Sequence, residues 1–221
     1  MELQSEVLMH EPVQTLSEYH EFIAVIYETY NQNVIYGSRS NKSVNYFHNY
    51  IKEKLVKIFD KPEYTVVLEH NVKSENASNC KRCDIVVLKN GEPYIVFPVK
   101  IVRTNYKKNK NNYWENTTGE QVQMKWANAA LNIIPINIFM NKTPVLSDKK
   151  VIQKFETISM SDISIYDILV TKNIAYDMIN YIMVVDHNND IQENFDKPPT
   201  IIGFDEKTPY RNLFDVVKEL L

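Results

Sequence analysis

Glycine is scarce: only Gly37, Gly91, Gly119 and Gly203 occur in 221 residues. Four scattered glycines cannot make a phosphate-cradling loop, so neither the dinucleotide fingerprint nor the P-loop can be written. The nucleophile elbow of α/β hydrolases is missing too. Cysteine is limited to Cys80 and Cys83, which gives no disulfide framework. No apolar run approaches the ~18–20 residues that span a bilayer, so no membrane partner is expected. Residues 1–6 are acidic and have no apolar signal-peptide core, and a reducing cytoplasm is the expected compartment. His20-Glu21 opens a zincin-like string, but Ala24 stands where its second histidine is needed.

What the chain has is material for a core. Hydrophobic residues make up 44%, with 14 Tyr and 9 Phe, which excludes a disordered chain and fits one domain over residues 1–221. The net charge of −3 hides an asymmetry. Residues 1–35 carry 6 acids and no Lys or Arg, and residues 151–221 carry 12 acids against 6 bases. Residues 36–150 carry 19 bases against 10 acids. A basic middle between acidic ends is where a polyanion would bind.

Tyr19, Phe22, Ile23, Ile26, Tyr27 and Tyr30 recur at helical spacing and predict an N-terminal helix over 17–31. A second helix carries Val44, Phe47, Ile51, Leu55, Ile58 and Phe59 and stops before Pro62. Short strands follow at 64–69 and 80–88, then a hairpin turn on Asn90-Gly91 and a returning strand over 94–102. A basic, Asn-rich loop is predicted at 103–112, a helix at 119–131 and a strand at 133–140. The last third, 151–221, reads as a helical extension with candidates at 163–169, 176–185 and 213–221. The expected class is α/β, a mixed central sheet flanked by helices.

Asp84 falls on the first arm of the hairpin and Lys100 on the returning arm, sixteen residues later. Side chains alternate along a strand, so Pro98 and Lys100 share one face while Phe97 and Val99 share the other. A lysine inside an apolar strand is costly to bury without an anionic partner or ligand. Glu120, Met124, Ala127 and Leu131 recur at helical spacing, which puts Glu120 on the sheet-facing stripe. Glu115 is the alternative acid, placed in the loop before the helix. On a continuous helix it would point about 140° away from Glu120.

This constellation resembles the PD-(D/E)XK nuclease superfamily, which includes many type II restriction endonucleases. The resemblance covers about residues 44–140 and implies an αβββαβ core. It implies that Asp84 ligates Mg²⁺, with Mn²⁺ able to substitute, and that Lys100 orients or activates the attacking water. It also implies the Val99 carbonyl as a further ligand. Pro98 departs from the pattern, because the family usually has Asp or Glu two residues before the lysine. A subgroup draws that acid from the following helix, which implies Glu120 or Glu115 here, with Glu69 as an upstream acid near the metal. Gln123, one turn from Glu120, is a supporting candidate.

The expected activity is hydrolysis of double-stranded DNA; cutting both strands implies a homodimer or higher homo-oligomer, since one site cuts one strand at a time. No histidine lies between His70 and His187, which disfavours a nuclease of the His-Asn-His kind. Arg103, Lys107, Lys108 and Lys110 would meet phosphates, Asn105 and Asn112 base edges, and Trp114 a base face. The alternative is an inactive nucleic-acid-binding module whose acid was lost to Pro98. A third reading makes Asp84 and Lys100 a structural ion pair. Cys80 and Cys83 form half a zinc site with no second half, and read as inert strand thiols.

Overall fold

The computed structural model describes residues 13–37, 40–187 and 196–221. Helix α1 (Val13–Tyr36) and helix α2 (Lys42–Ile58) precede strands β1 (Tyr64–Lys73), β2 (Cys80–Lys89), β3 (Glu92–Phe97) and β4 (Val99–Val102). Helix α3 (Tyr106–Ala127) leads to β5 (Asn132–Ile133) and β6 (Ile136–Met140). Then come β7 (Lys142–Leu146), β8 (Ile152–Thr157), α4 (Met160–Ile163) and α5 (Asp167–Thr171). The described chain ends with β9 (Ile179–Asp186), β10 (Thr200–Phe204), α6 (Leu213–Val217) and a single 3-10 turn at Lys218–Leu220. Helices and mixed sheets make an α/β architecture.

Two four-stranded sheets, β1-β2-β3-β5 and β10-β9-β6-β4, meet where β3 runs into β4. The pairs β1–β2, β2–β3 and β9–β10 are antiparallel, while β3–β5, β4–β6 and β6–β9 are parallel. Pro98 carries no N–H and ends the β3 ladder, so the expected single strand over 94–102 is two. Pro135 interrupts the neighbouring strand in the same way, between β5 and β6. The Ile134 N–H bonds the Val96 carbonyl and the Ile136 N–H bonds the Pro98 carbonyl, which ties the two strands across both prolines.

One sheet face packs under α1 and α2. Phe22, Ile26, Phe47, Ile51 and Leu55 meet Ile85, Phe97, Ile138 and Tyr181 in the largest buried cluster. The other face packs against α3, where Met124 joins Val86, Val96 and Leu131. Cys83 also packs on Met124, whereas Ile85 joins the α1–α2 side. Strict alternation is therefore interrupted at Asp84.

Further expectations need correction, among them the helix over 119–131, which ends at Ala127 and leaves Leu131 outside it. The N-terminal helix is longer than 17–31, since α1 covers Val13–Tyr36. The predicted loop 103–112 is largely helix, because α3 begins at Tyr106. Its Lys and Asn residues look loop-like, yet Tyr106, Tyr113 and Trp114 give the first turns an inner face against Phe139 and Tyr166. Residues 176–185 form β9 rather than a helix, a strand apolar on both faces. The segment 151–221 is accordingly no helical extension: it supplies β8, β9 and β10.

Candidate active site

The hairpin sets the frame. Asn90 and Gly91 both take left-handed φ, 53° and 85°, as a two-residue turn of this kind requires. The turn pairs Lys89 with Glu92, and a one-residue register shift between Val87 and Leu88 then brings Ile85 opposite Phe97. Asp84 thus comes beside the start of β4, and its Oδ2 accepts the Val99 N–H at 2.7 Å. Burial pushes the Asp84 carboxyl above its ordinary pKa, and Glu120 adds to the rise. The Val99 N–H, Lys81 and Lys100 pull it back down.

Asp84, Lys100 and Glu120 line one cavity of about 260 Å³, together with Lys81, Val99, Tyr113 and Gln121. Lys100 is exposed, so it needs no buried partner. Its ammonium lies 4.8 Å from the centre of the Tyr113 ring, a cation–π contact. Among the described residues no ion pair joins Lys100 to Asp84. The structural ion pair considered above is therefore not formed.

Glu120 lies well inside α3 and pairs with the Lys81 ammonium. The helix is continuous through residue 115, and Glu115 is exposed and does not line the cavity. Gln123 does not line it either; its carbonyl accepts the Glu75 N–H. The amide that does is Gln121, 1% exposed, with neither end of its side chain hydrogen-bonded. Both polar ends of a buried amide cost free energy when unpaired, about 1–3 kcal/mol, so Gln121 is a candidate ligand-facing group that sequence reasoning passed over. Its signal was its place three residues before Met124, on the inward stripe of α3.

A second group lies behind the strands. The donor atoms of His48, Glu69 and Asp84 all fall within 4.8 Å of one another. Glu69 has a left-handed φ of 52° in the middle of β1, a conformation that costs a β-carbon residue about 1–3 kcal/mol. Its Oε2 meets Arg82 Nε at 2.8 Å, and its Oε1 lies 3.7 Å from His48 Nδ1. The His48 side chain is 1% exposed, and Nδ1 has no hydrogen-bond partner. Burial lowers the pKa of His48, with Glu69 pulling the other way, which favours a neutral ring. His48 was not legible as a site residue because it lies on α2, remote in sequence from the hairpin that carries Asp84. Its signal was a polar residue on the buried stripe of Phe47, Ile51 and Leu55.

His48 also lines a further cavity of about 530 Å³, which shares Val99, Lys100 and Tyr113 with the first. Arg103 is on its wall rather than on an open arm. The Nε and Nη2 of Arg103 are buried without hydrogen-bond partners, and burial lowers its pKa to about 10.

The other residues assigned to DNA have varied surroundings. Asn105, with φ 55°, starts α3; its Oδ1 accepts the Leu146 N–H and its own N–H bonds the Pro144 carbonyl. Trp114 packs edge-on against Tyr166 at 5.8 Å, half-buried against a core cluster. Lys107 and Lys110 stand 4.0 Å and 3.7 Å from Asp162. Lys108 and Asn112 are exposed, four residues apart on one helix face. Cys83 is buried, and its thiol is pushed up to about 12 by that burial.

Compared with known proteins, the chain matches no family model and no curated protein. Among the described residues no helix is long and apolar enough to cross a membrane.

Proposed function

We propose that this chain is a metal-dependent endonuclease that hydrolyses phosphodiester bonds of double-stranded DNA, similar to type II restriction enzymes. The observation that carries the reading is the meeting of Asp84 from β2, Lys100 from β4 and Glu120 from α3 around one cavity. The element order from α2 to β6 is compatible with it. Pro98 supplies no carboxylate, and the acid it would have provided comes from Glu69 or Glu120.

The donor set suits a divalent cation, since Asp84 and Glu69 offer hard oxygens within 4.8 Å of each other. Such an ion, Mg²⁺ or Mn²⁺, would polarise the scissile phosphate and lower the pKa of a water. The Val99 N–H holds Asp84 in place for that role. Lys100 brings positive charge to the cavity where a phosphate accumulates negative charge during attack. Lys108 and Asn112, on the exposed face of α3, are the free groups for backbone and base contacts. A second copy of the chain would serve the second strand.

The test is incubation with mixed-sequence plasmid DNA and Mg²⁺ or Mn²⁺, beside Asp84→Ala, Lys100→Ala and Glu120→Ala. Discrete fragments from the wild type, reduced at least 100-fold in Asp84→Ala and Lys100→Ala, are expected. Loss in Glu120→Ala as well assigns the migrated acid to α3; retention assigns it to Glu69. Salt-sensitive DNA binding without cleavage under either ion would replace this reading with the inactive binding module that Pro98 suggests.

A further inference from the structure

We propose that His48 is a third protein ligand of the ion, and that this imidazole makes the site select a first-row transition ion of the Mn²⁺ class over Mg²⁺. The inference deepens the nuclease reading and rests on it for what the ion does there. It comes from three elements that are remote in sequence: α2 supplies His48, β1 supplies Glu69 and β2 supplies Asp84.

The geometry fits an ion better than a hydrogen bond. His48 Nδ1 is buried and unpartnered, and Glu69 Oε1, its neighbour at 3.7 Å, is too far to accept from it. Metal–ligand bonds of about 2.1 Å separate cis ligand atoms by about 3 Å and trans ones by about 4.2 Å. Three donor atoms spread over at most 4.8 Å are close to that spacing. Arg82 occupies only Oε2 of Glu69, so Oε1 stays turned to the cluster. The left-handed backbone of Glu69 aims its carboxylate there, a strain that a purely structural Glu–Arg pair would not require.

Ligand chemistry decides the ion. Mg²⁺ demands oxygen ligands and keeps much of its water, whereas imidazole nitrogen suits softer first-row ions. Two carboxylates and one neutral imidazole make a donor set that Mn²⁺ accepts and Mg²⁺ tolerates poorly. The cavities on either side, which share Val99 and Lys100, leave room for water and a phosphate oxygen to complete the coordination.

The test uses the full chain with MnCl₂ or MgCl₂ and no DNA. Mn²⁺ uptake is followed by loss of the free-ion EPR signal, and Mg²⁺ affinity by competition. The wild type is expected to bind Mn²⁺ at least tenfold tighter than Mg²⁺. His48→Asn and His48→Ala should lose about tenfold in Mn²⁺ affinity while Mg²⁺ affinity changes less than twofold. Pulsed EPR of the bound ion should show a nitrogen coupling in the wild type that is absent from both variants, with metal-free melting curves establishing that the variants fold. Equal affinity for the two ions, or a nitrogen coupling that survives His48→Ala, would overturn the proposal. Selective Mn²⁺ binding in a protein that cuts no DNA would keep the site and remove the nuclease reading. Cleavage with Mg²⁺ and no Mn²⁺ preference would do the reverse.

Discussion

Burial and the nearby Glu120 carboxylate both oppose a charge on Asp84, and the Val99 N–H offsets only part of that. The consequence for stability has a definite sign. The folded-state pKa is raised, so between the ordinary carboxylate value and that raised value the folded chain holds a proton that the unfolded chain has released. Stability from this group is therefore lost as pH rises through that window and does not return at neutral pH. Asp84→Asn keeps an acceptor for Val99 and removes the charge. Without added metal at pH 7, thermal unfolding should show Asp84→Asn a few degrees more stable than wild type, and the difference should vanish on acidification below about pH 4. A variant less stable at both pH values would mean that the buried charge is well compensated. A site whose native charge costs the fold stability is what a group retained for function looks like.

At the scale of elements, the hairpin was the most legible part of the sequence, because Asn90-Gly91 leaves the backbone few alternatives. Helix α2 was legible from its apolar spacing, although Val44 stands exposed at the edge of the predicted stripe. The start of α3 was not legible, since its Lys and Asn residues score as loop and its tertiary contacts override that preference. Strand β9 was illegible for a different reason: an apolar run buried on both faces carries no period to distinguish it from a helix. Of the site, Asp84 and Lys100 could be paired through the turn, whereas His48 and Glu69 meet Asp84 only through packing of α2 on the sheet. The start of α3 yields a prediction. Asn105 tolerates φ 55° and bonds Leu146, so Asn105→Ala should lower unfolding free energy by about 1–2 kcal/mol, and Asn105→Gly by less. Denaturant titration measures both. An unchanged stability in Asn105→Ala would free this residue for the base contact first assigned to it.

At the scale of the whole molecule, the core does not end at residue 140. Tyr181 and Met183 of β9 lie in the same cluster as Phe22, Phe47 and Ile85, and β9 is the parallel partner of β6. A fragment of residues 1–150 should consequently show no cooperative thermal transition by circular dichroism, where the full chain shows one. A cooperative transition in the fragment would mean that α1 to β6 folds alone. The two ladders also divide the site, since Asp84 stands in one and Lys100 in the other, with Pro98 between them. Asp84 and Lys100, the pair proposed for catalysis, therefore straddle a seam, and the Asp84–Val99 hydrogen bond is a clasp across it beside the Ile134–Val96 and Ile136–Pro98 backbone bonds. A small shear along that seam would change the spacing of acid and lysine while every rung within each ladder stayed intact. Under the proposed nuclease reading, such a joint would let the site adjust to a bent or straight duplex without unfolding any part of the sheet.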